Sequence, residues 1–510
     1  MLEATPLERI AADVTDLRAS FDAGKTLPLE ARKAVLRQIR AMMVDGEPEL
    51  AEALATDLHK PPHETYLTEI GLVLAEVQTH LDYLDDWSAR SYKWTSLACF
   101  PGRSYTVPEP YGVACIIGTW NYPIHVILLP LVGAISAGNC ALVRLPADGS
   151  VDTTTAVLAK LFAKHLDPGV VRFAKGGLDV SKTVLAQRFD FIFCTGGPAI
   201  GKAVARAAAE HLTPVVLELG GKSPAIVDAT ADVVVAARRI AWGAFINAGQ
   251  TCVRPDHVFV DAKIGDTFVG ALRAAVVALF GESPEMSPDY GRVANTTQFF
   301  KMKALIEKEK RFLVHGGATA AAARFVAPAL FNYKTDDAAF RQSALMEDEI
   351  FGPLLPIVYF SAGVEPVLEA IRARPKPLAL YVFSTHAPTV DRFVTRTSSG
   401  SVVVNDCVVQ MGNLNLPFGG VGGSGQGAYH GRTSFRTFSH SKAVLQKYFW
   451  LDLPQRYMPH TASAKWLTRR AIAPVPRAVV RRTVAVVVVA AVAWLSQRPK
   501  VAAFFAARDA

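Results

Sequence analysis

Residues 113–145 read VACIIGTWNYPIHVILLPLVGAISAGNCALVRL, and this stretch decides the fold class of the chain. It begins and ends with mostly apolar runs of strand length, at residues 113–118 and 141–145. Between them, residues 124–137 form a longer apolar segment with the length of a helix. A strand, a helix and a second strand in this order predict two parallel strands joined by a crossover helix. We therefore expect a doubly wound α/β domain.

The same alternation continues on both sides of this stretch. Further strand-like runs lie at 170–174, 189–194, 215–219, 354–360 and 379–383. Helical segments lie at 5–60, 66–90, 151–165, 178–187, 199–211, 231–247 and 264–280. A second alternating region thus runs from Glu218 to about Gly400. At 510 residues the chain is too long for one core, so we expect more than one domain.

Charge is unevenly distributed along the chain. The formal net charge is +8, and residues 461–510 alone carry nine Lys or Arg against one acid, which is also +8 (nine minus one). Residues 1–460 are therefore close to neutral, which argues against a nucleic-acid surface.

The six cysteines include no C-x-x-C pair, which indicates a reducing compartment and neither a disulfide scaffold nor a metal site. The first 21 residues lack the continuous apolar core of a secretory signal, so we expect a cytoplasmic protein, or one attached to the cytosolic face of a membrane.

Cys252 is a candidate nucleophile in the small-residue string GQTC at 249–252. A lone cysteine is more often a buried packing residue, but this one follows a helical run in a loop that a substrate can approach. A base is available in Glu218, at the end of an apolar strand, where burial raises the pKa of a carboxyl group. Pairing of Glu218 with Lys222 is the structural alternative, and the residues alone leave both open.

Asn121 is a candidate oxyanion donor because it directly follows the strand-like run at 113–118. Ligands of open α/β sheets bind beyond the carboxyl ends of strands, so its amide is well placed to donate together with the backbone N–H of Cys252. The alternative is that Asn121 caps the helix that begins near Pro123.

A glycine-rich string, TGGPAIG at 195–201, follows the strand-like run at 189–194 and opens a helix. Small residues there let a pyrophosphate approach the helix amino terminus, whose free N–H groups favour anions. The spacing is not that of the usual dinucleotide fingerprint, so the string alone does not identify a nucleotide. Trp120 flanks the same cleft.

Seven strings occur in the order that one superfamily shows. They are GTWNYP at 118–123, HLTP at 211–214, LELGGKSP at 217–224, GQTC at 249–252, EIFGP at 349–353, KPLALY at 376–381 and LPFGGVG at 416–422. From about Arg32 to His440 the chain therefore resembles the aldehyde dehydrogenase superfamily, most closely its class 3 and fatty aldehyde dehydrogenase branch. The resemblance implies a Rossmann-like cofactor domain, an α/β catalytic domain and a small β bridging region. It also implies oxidation of an aldehyde, medium- or long-chain aliphatic or aromatic, to a carboxylic acid.

The resemblance implies a role for each matching residue. Cys252 attacks the aldehyde carbon, Asn121 and the Cys252 amide stabilise the oxyanion, and Glu218 activates the water that hydrolyses the thioester. Tyr122 and Phe418 lie at the substrate pocket, although Phe418 also fits a core aromatic before a glycine turn. The residues expected to bind the cofactor, NAD or NADP, are Trp120, Arg144, Gly196, Gly197, Gly201, Glu349 and Phe351.

One string departs from the family. Where the family usually has Lys-Pro-Ser-Glu, this chain has Arg144, Leu145, Pro146 and Ala147. Losing the glutamate removes a carboxylate that would hold the ribose 2′-hydroxyl and repel a 2′-phosphate, and the arginine is able to pair with that phosphate. We therefore expect NADP to be used at a rate comparable to NAD, unless Asp148 substitutes for the glutamate.

The resemblance also implies a homodimer, and together with the composition it divides the chain into four parts. These are a cofactor-binding domain (1–82 and 106–217), a catalytic domain (218–399), a bridging region (83–105 and 400–440) and a basic, apolar tail (441–510). In the tail, the twelve apolar residues 484–495 would form a helix of roughly 18 Å, too short to span about 30 Å of hydrocarbon. Flanking arginines favour shallow or peripheral membrane attachment. A buried arm on a partner subunit is the alternative.

Two competing functions follow from the same residues. A dehydrogenase that passes the acyl group to coenzyme A would not need Glu218, whose presence favours hydrolysis. A catalytically inactive, membrane-associated binding protein would not need Cys252, Glu218, Asn121 and Glu349 together.

Overall fold

The computed structural model describes residues 3–473, together with Ala478 and Val486. These residues divide into two units, of which the first holds residues 3–89 and 108–441 and the second holds 90–107 and 442–473. Apart from Val486, the apolar run at 484–495 lies outside the described residues. The two prolines that precede this run in the sequence, Pro474 and Pro476, also lie outside them. No helix among the described residues is long and apolar enough to cross a bilayer.

The α-helices follow the apolar periodicity of the sequence. They are α1 (Leu7–Asp22), α2 (Leu29–Leu58), α3 (Pro62–Thr65), α4 (Gly71–Ser88), α5 (His125–Ala137), α6 (Asp152–His165), α7 (Leu178–Leu185), α8 (Pro198–Ala209), α9 (Val233–Phe245), α10 (Gly265–Phe280), α11 (Thr296–Lys308), α12 (Asp337–Gln342), α13 (Glu365–Arg372), α14 (Ala387–Arg396), α15 (Gly431–Thr437) and α16 (Ala462–Ile472). The helical segment expected over 5–60 is divided into α1 and α2, because Gly24 adopts a left-handed φ of 77° and Pro28 precedes α2.

The β-strands include the short apolar runs of the sequence. They are β1 (Ser91–Lys93), β2 (Gly102–Pro110), β3 (Val113–Ile117), β4 (Cys140–Leu145), β5 (Val171–Lys175), β6 (Phe191–Thr195), β7 (Val215–Glu218), β8 (Pro224–Val227), β9 (His257–Asp261), β10 (Leu313–His315), β11 (Thr319–Ala320), β12 (Phe325–Val326), β13 (Ala329–Asn332), β14 (Leu354–Phe360), β15 (Ala379–Phe383), β16 (Ser401–Val404), β17 (Gly425–Gln426) and β18 (Ser439–Lys447).

The strands of the fold-deciding stretch pair as the sequence predicts. β3 and β4 are parallel neighbours, with Val113 opposite Cys140, and α5 connects them. Every residue of α5 is buried, which explains why this helix is apolar on all sides. The sheet has the order β17-β7-β6-β3-β4-β5, and its short edge strand β17 pairs antiparallel with β7. The predicted α/β class is confirmed.

A second sheet, of order β10-β13-β14-β9-β8-β15-β16, is parallel except at its first pair. The chain passes from the first sheet to the second directly after Glu218, the last residue of β7, and enters β8 at Pro224. This passage lies inside the first unit, and the division into a cofactor and a catalytic domain at this point stays a prediction. Residues that leave the carboxyl ends of β3, β6 and β7 are the ones available to a ligand.

The small sheet differs from the prediction for the bridging region. Its strand order is β1-β2-β18, so the third strand, Ser439–Lys447, lies mostly beyond the expected 400–440. The strands inside 400–440 instead join the two large sheets, β16 beside β15 and β17 beside β7. Three consecutive valines, 402–404, suit a strand that pairs in parallel with the buried strand β15, whereas β18 is largely exposed and lacks the apolar alternation of a half-buried strand.

Candidate active site

A cavity of about 780 Å³ lies in the first unit, where the chain leaves β3, β6 and β7. Most of the predicted site residues line it. They are Trp120, Asn121, Tyr122, Gly196, Gly197, Glu218, Cys252, Glu349, Phe351 and Phe418. Arg144 and Gly201 are not among its lining residues. Residues far apart in sequence thus meet at one place, as expected for the ends of parallel strands.

Cys252 ends a tight turn that follows α9, and we call residues 246–252 the nucleophile loop. Three consecutive residues of this loop, Asn247, Ala248 and Gly249, have φ values of 53°, 51° and 73°. Two of them are not glycine, so the loop holds strain of the kind found at functional sites. A Cβ at Gly249 would lie 2.4 Å from the Gly352 carbonyl oxygen, so only glycine permits this close approach. Cys252 itself remains partly exposed to the cavity.

The electrostatic setting of Cys252 disfavours its thiolate. Burial, together with the nearby Glu349 and Glu218, raises the pKa of the thiol to about 12. Because the thiolate is the nucleophilic form, the reaction requires a group that takes the proton.

Glu218 places a carboxyl group in the same cavity. Its side chain is buried, with 3% of the residue exposed, and neither carboxylate oxygen has a hydrogen-bond partner among the described residues. Burial raises the pKa of Glu218 well above its ordinary value, which suits a base that must hold a proton. The alternative pairing with Lys222 is wrong, because Lys222 Nζ donates to Asp256 and to the Leu345 carbonyl, 2.7 Å away.

Asn121 lies in the loop that follows β3, and we call residues 118–124 the oxyanion loop. Its Nδ2 donates to the Gln250 carbonyl oxygen at 3.1 Å, which leaves a second N–H on the same nitrogen. The capping alternative is wrong: α5 begins at His125, and its amino terminus has no side-chain cap. The hydroxyl of Tyr122 lies 2.5 Å from Thr251 Oγ1, so a second contact joins the two loops.

The cofactor side of the cavity fits a dinucleotide. Gly197 precedes α8, and a Cβ there would meet nothing within 4 Å, so the helix amino terminus is open to an anion. Glu349 Oε1 is buried without a partner among the described residues, and burial raises the pKa of this carboxyl to about 8. The rings of Trp120 and Phe351 meet edge to face, 5.4 Å apart. Phe351 has a φ of 53°, a left-handed value that is strained for this residue.

Two of the expected cofactor residues have other contacts. Arg144 Nη2 donates to the Gly176 carbonyl oxygen at 2.9 Å. Gly201 lies within α8, and a Cβ there would be 2.8 Å from the Leu219 side chain, so this glycine allows the helix to pack closely. Their contact with the cofactor stays a prediction.

The substrate side of the cavity is apolar, and sequence reasoning missed most of it. Phe418 is 4% exposed, lines the cavity and pairs through its backbone with Tyr429. The apolar lining residues that no motif singled out include Leu67, Leu72, Trp242, Ile246, Val408, Val409, Met411 and Tyr429. Helical periodicity marks such residues only as buried, because an apolar side chain facing a cavity and one facing the core have the same spacing.

A comparison with protein-family models decides the relationship: the model described as "Aldehyde dehydrogenase family" matches residues 4–444. The chain belongs to this family. Its reaction is the NAD(P)-dependent oxidation of an aldehyde, as the sequence predicts.

This aldehyde dehydrogenase is similar to known proteins over most of its length. The chain is 41% identical to "Aldehyde dehydrogenase, dimeric NADP-preferring" of Canis lupus familiaris, over 89% of this chain and 99% of that one. It is 42% identical to "Aldehyde dehydrogenase family 3 member A2" of Rattus norvegicus, over 85% of this chain and 88% of that one. Among solved structures, the substrate-bound state of Staphylococcus aureus AldH superposes with a TM-score of 0.87 at 36% identity, covering 91% of this chain and 99% of that chain.

Proposed function

We propose that Cys252 is the nucleophile of this aldehyde dehydrogenase, that Glu218 is its base and that Asn121 donates to the oxyanion. The observation that carries the proposal is the Glu218 carboxyl group, which is buried without a partner among the described residues and faces the same cavity as Cys252. A buried, unpaired carboxylate is costly, and such groups are retained where the reaction uses them.

In the first half of the reaction, Cys252 Sγ forms a bond to the aldehyde carbon while its proton passes to a water molecule, so this step does not depend on Glu218. The second N–H of Asn121 Nδ2 and the backbone N–H of Cys252 donate to the developing oxyanion. Trp120, Phe351 and Glu349 would hold NAD(P), with Gly196 and Gly197 at its pyrophosphate. When bound, NAD(P) supplies the acceptor for the hydride that leaves the thiohemiacetal.

In the second half, Glu218 takes a proton from water, and the resulting hydroxide adds to the thioester carbon. The bond from this carbon to Cys252 Sγ breaks, the thiolate regains a proton and the carboxylic acid leaves. Transfer to coenzyme A would require no base at this position, so the presence of Glu218 favours hydrolysis.

The substitution Glu218→Gln tests this division of roles. The variant should release one equivalent of NAD(P)H per active site and then stall, because the thioester is not hydrolysed. Mass spectrometry of the quenched protein should find the acyl group on the peptide that contains Cys252. The exposed cavity-lining Glu347 offers a matched control, and Glu347→Gln should turn over continuously. Continuous turnover by Glu218→Gln would contradict the proposal.

We propose a medium- or long-chain aliphatic, or an aromatic, aldehyde as the substrate. The apolar wall formed by Leu67, Leu72, Trp242 and Met411 supports a large apolar group, because burial of each methylene favours binding by about 0.8 kcal/mol. The test is kcat/KM along a series from acetaldehyde to decanal, which should rise with chain length.

We propose that the protein is a homodimer and that its second unit contacts the partner subunit. We also propose that the first sheet binds the cofactor and that the second sheet belongs to the domain that carries the nucleophile. The second unit exposes Tyr92, Trp94, Phe449 and Trp450, each at least 65% exposed, which supports a further contact. The name of the dog relative contains the word dimeric. Light scattering after size exclusion measures the oligomeric state, and a monomer at all concentrations would oppose the proposal.

We propose that the basic tail attaches the enzyme to the cytosolic face of a membrane. The support is its composition: nine Lys or Arg against one acid in residues 461–510, around the apolar run at 484–495. The test is flotation with anionic liposomes, comparing the full chain with one that ends near Met458. The full chain should float at low salt and the shortened chain should not. Equal flotation of both would exclude the tail as the anchor.

A further inference from the structure

Asn247 is one of the side chains that join the oxyanion loop to the nucleophile loop. Asn247 Nδ2 lies 2.8 Å from the Asn121 carbonyl oxygen and 3.2 Å from the Gln250 carbonyl oxygen, and donates to both. Asn121 Nδ2 donates to the same Gln250 oxygen. Asn247 is 3% exposed, so these hydrogen bonds are shielded from water.

The backbone of Asn247 is held as firmly as its side chain. Its φ and ψ of 53° and 34° are left-handed, a conformation that asparagine tolerates better than most residues. Its N–H donates to Glu64 Oε1 at 3.0 Å, and its carbonyl oxygen accepts from Gln250 N and Nε2, both at 3.0 Å. The surrounding structure therefore fixes the direction in which the Asn247 amide points.

We propose that Asn247 is a positioning residue that sets the spacing between the two oxyanion donors, the Asn121 amide and the Cys252 N–H. This inference rests on the proposed roles of Asn121 and Cys252. Asn247 binds the backbone of Asn121 on one side and that of Gln250, two residues before the nucleophile, on the other. Oxyanion donors act only within a narrow distance of the developing charge, so their separation determines how well both reach it.

The oxyanion loop has a second anchor that does not involve Asn247. Lys60 Nζ lies 3.4 Å from the Asn121 carbonyl oxygen and 2.9 Å from Glu69 Oε1. Glu69 Oε2 accepts from the backbone N–H groups of Ile124 and His125, both at 3.0 Å. Loss of the Asn247 amide would therefore leave this loop folded and change only its position relative to the nucleophile loop.

The substitution Asn247→Gly removes the amide and keeps a residue suited to a positive φ. We expect kcat with decanal to fall about tenfold to a hundredfold, since a misplacement of about 1 Å costs up to about 10² in rate. The KM for the aldehyde and the Kd for NAD(P)H should stay unchanged. Asn405→Gly is the matched control, because it removes an amide from another asparagine with a left-handed φ, of 60°, whose side chain bonds the Ser384 backbone outside both loops. Its kcat should stay within about twofold of the wild type.

A double-mutant cycle with Asn121→Ala separates positioning from a general structural role. If Asn247 acts through Asn121, then Asn247→Gly slows the enzyme much less in the Asn121→Ala background than in the wild type. Multiplicative losses, or an unchanged kcat in Asn247→Gly, would overturn the inference. An unchanged kcat in Asn121→Ala would instead overturn the proposed function. Asn247→Asp, which keeps the shape and removes both donors, repeats the measurement if the glycine variant is unstable.

Discussion

Two loops of the first unit differ in the burial and the hydrogen bonding of their polar side chains. In the nucleophile loop, Gln250 is fully buried, and its side chain donates to the Asn247 and Arg292 carbonyl oxygens and accepts from Ala294 N. In the loop after β4, residues 146–151, Asp148 is exposed and accepts from the N–H of Ser150. The first loop has a fixed geometry, whereas the second is exposed to solvent at Asp148 and Gly149. We therefore expect substitutions around the first to change the rate of the reaction, and those in the second to change only the choice of cofactor.

The strongest test of this contrast is Cys252→Ala. Loss of the sulfur removes the covalent step, so kcat should fall on the order of 10⁴-fold or more. Binding of NAD(P)H, measured by fluorescence titration, should change little, because the cofactor residues remain. Retention of wild-type dehydrogenase activity would show that the reaction does not pass through this cysteine.

The second prediction concerns the protonation of Cys252 in the absence of cofactor. Because burial and two carboxyl groups raise its pKa to about 12, the thiolate fraction grows throughout the accessible pH range. The rate of alkylation by iodoacetamide should therefore rise about tenfold per pH unit from pH 6 to 9 without levelling off. Free cysteine, the control, should level off near its ordinary pKa of about 8.5. Peptide mapping separates Cys252 from Cys99, and a plateau for Cys252 near pH 7 would contradict its electrostatic setting.

The sequence allowed the chemistry to be predicted better than the geometry that positions it. The strands 354–360 and 379–383 were predicted to the residue, because their apolar runs end abruptly at polar or loop residues. The left-handed turn before Cys252 could not be predicted, because Asn247 and Ala248 are compatible with many backbone conformations. The partner of Lys222 also stayed open, since Asp256 lies 34 residues away in sequence. Strand β18 was missed because an exposed strand lacks the apolar alternation that marks the others.

The third prediction tests whether cofactor binding depends on the placement of Glu349. A Cβ at Gly220 would lie 1.9 Å from Glu349 Oε2, the flexible end of that side chain. Gly220→Ala should therefore displace the carboxylate at little cost in stability, and raise the Kd for NAD(P)H about tenfold. Gly270→Ala in α10 is the control, since its Cβ meets nothing within 4 Å, and it should leave the Kd unchanged. Its melting temperature should rise slightly, because alanine favours a helix by about 1 kcal/mol over glycine.

The smallest effect is expected in the loop after β4, and it concerns cofactor choice. Ala147 occupies the position where the family usually has a glutamate, so nothing there repels a 2′-phosphate. NADP should therefore be used at a rate comparable to NAD, and Ala147→Glu should lower kcat/KM for NADP several-fold, a change of about 1 kcal/mol. The kcat with saturating NAD should stay unchanged, because Ala147 is not among the residues that line the cavity of Cys252.

Arg144, in β4 just before this loop, provides the complementary variant. Its Nη2 is already bonded to the Gly176 carbonyl oxygen, so a 2′-phosphate would have to recruit the remaining donors of the guanidinium. If it does so, Arg144→Met lowers kcat/KM for NADP more than for NAD. If both cofactors lose equally, the arginine supports the loop and does not select the phosphate. A strong preference for NAD in the unmodified enzyme would show that the exposed Asp148 already fills the role of the missing glutamate. The loop after β4 would then select between the two cofactors without any substitution.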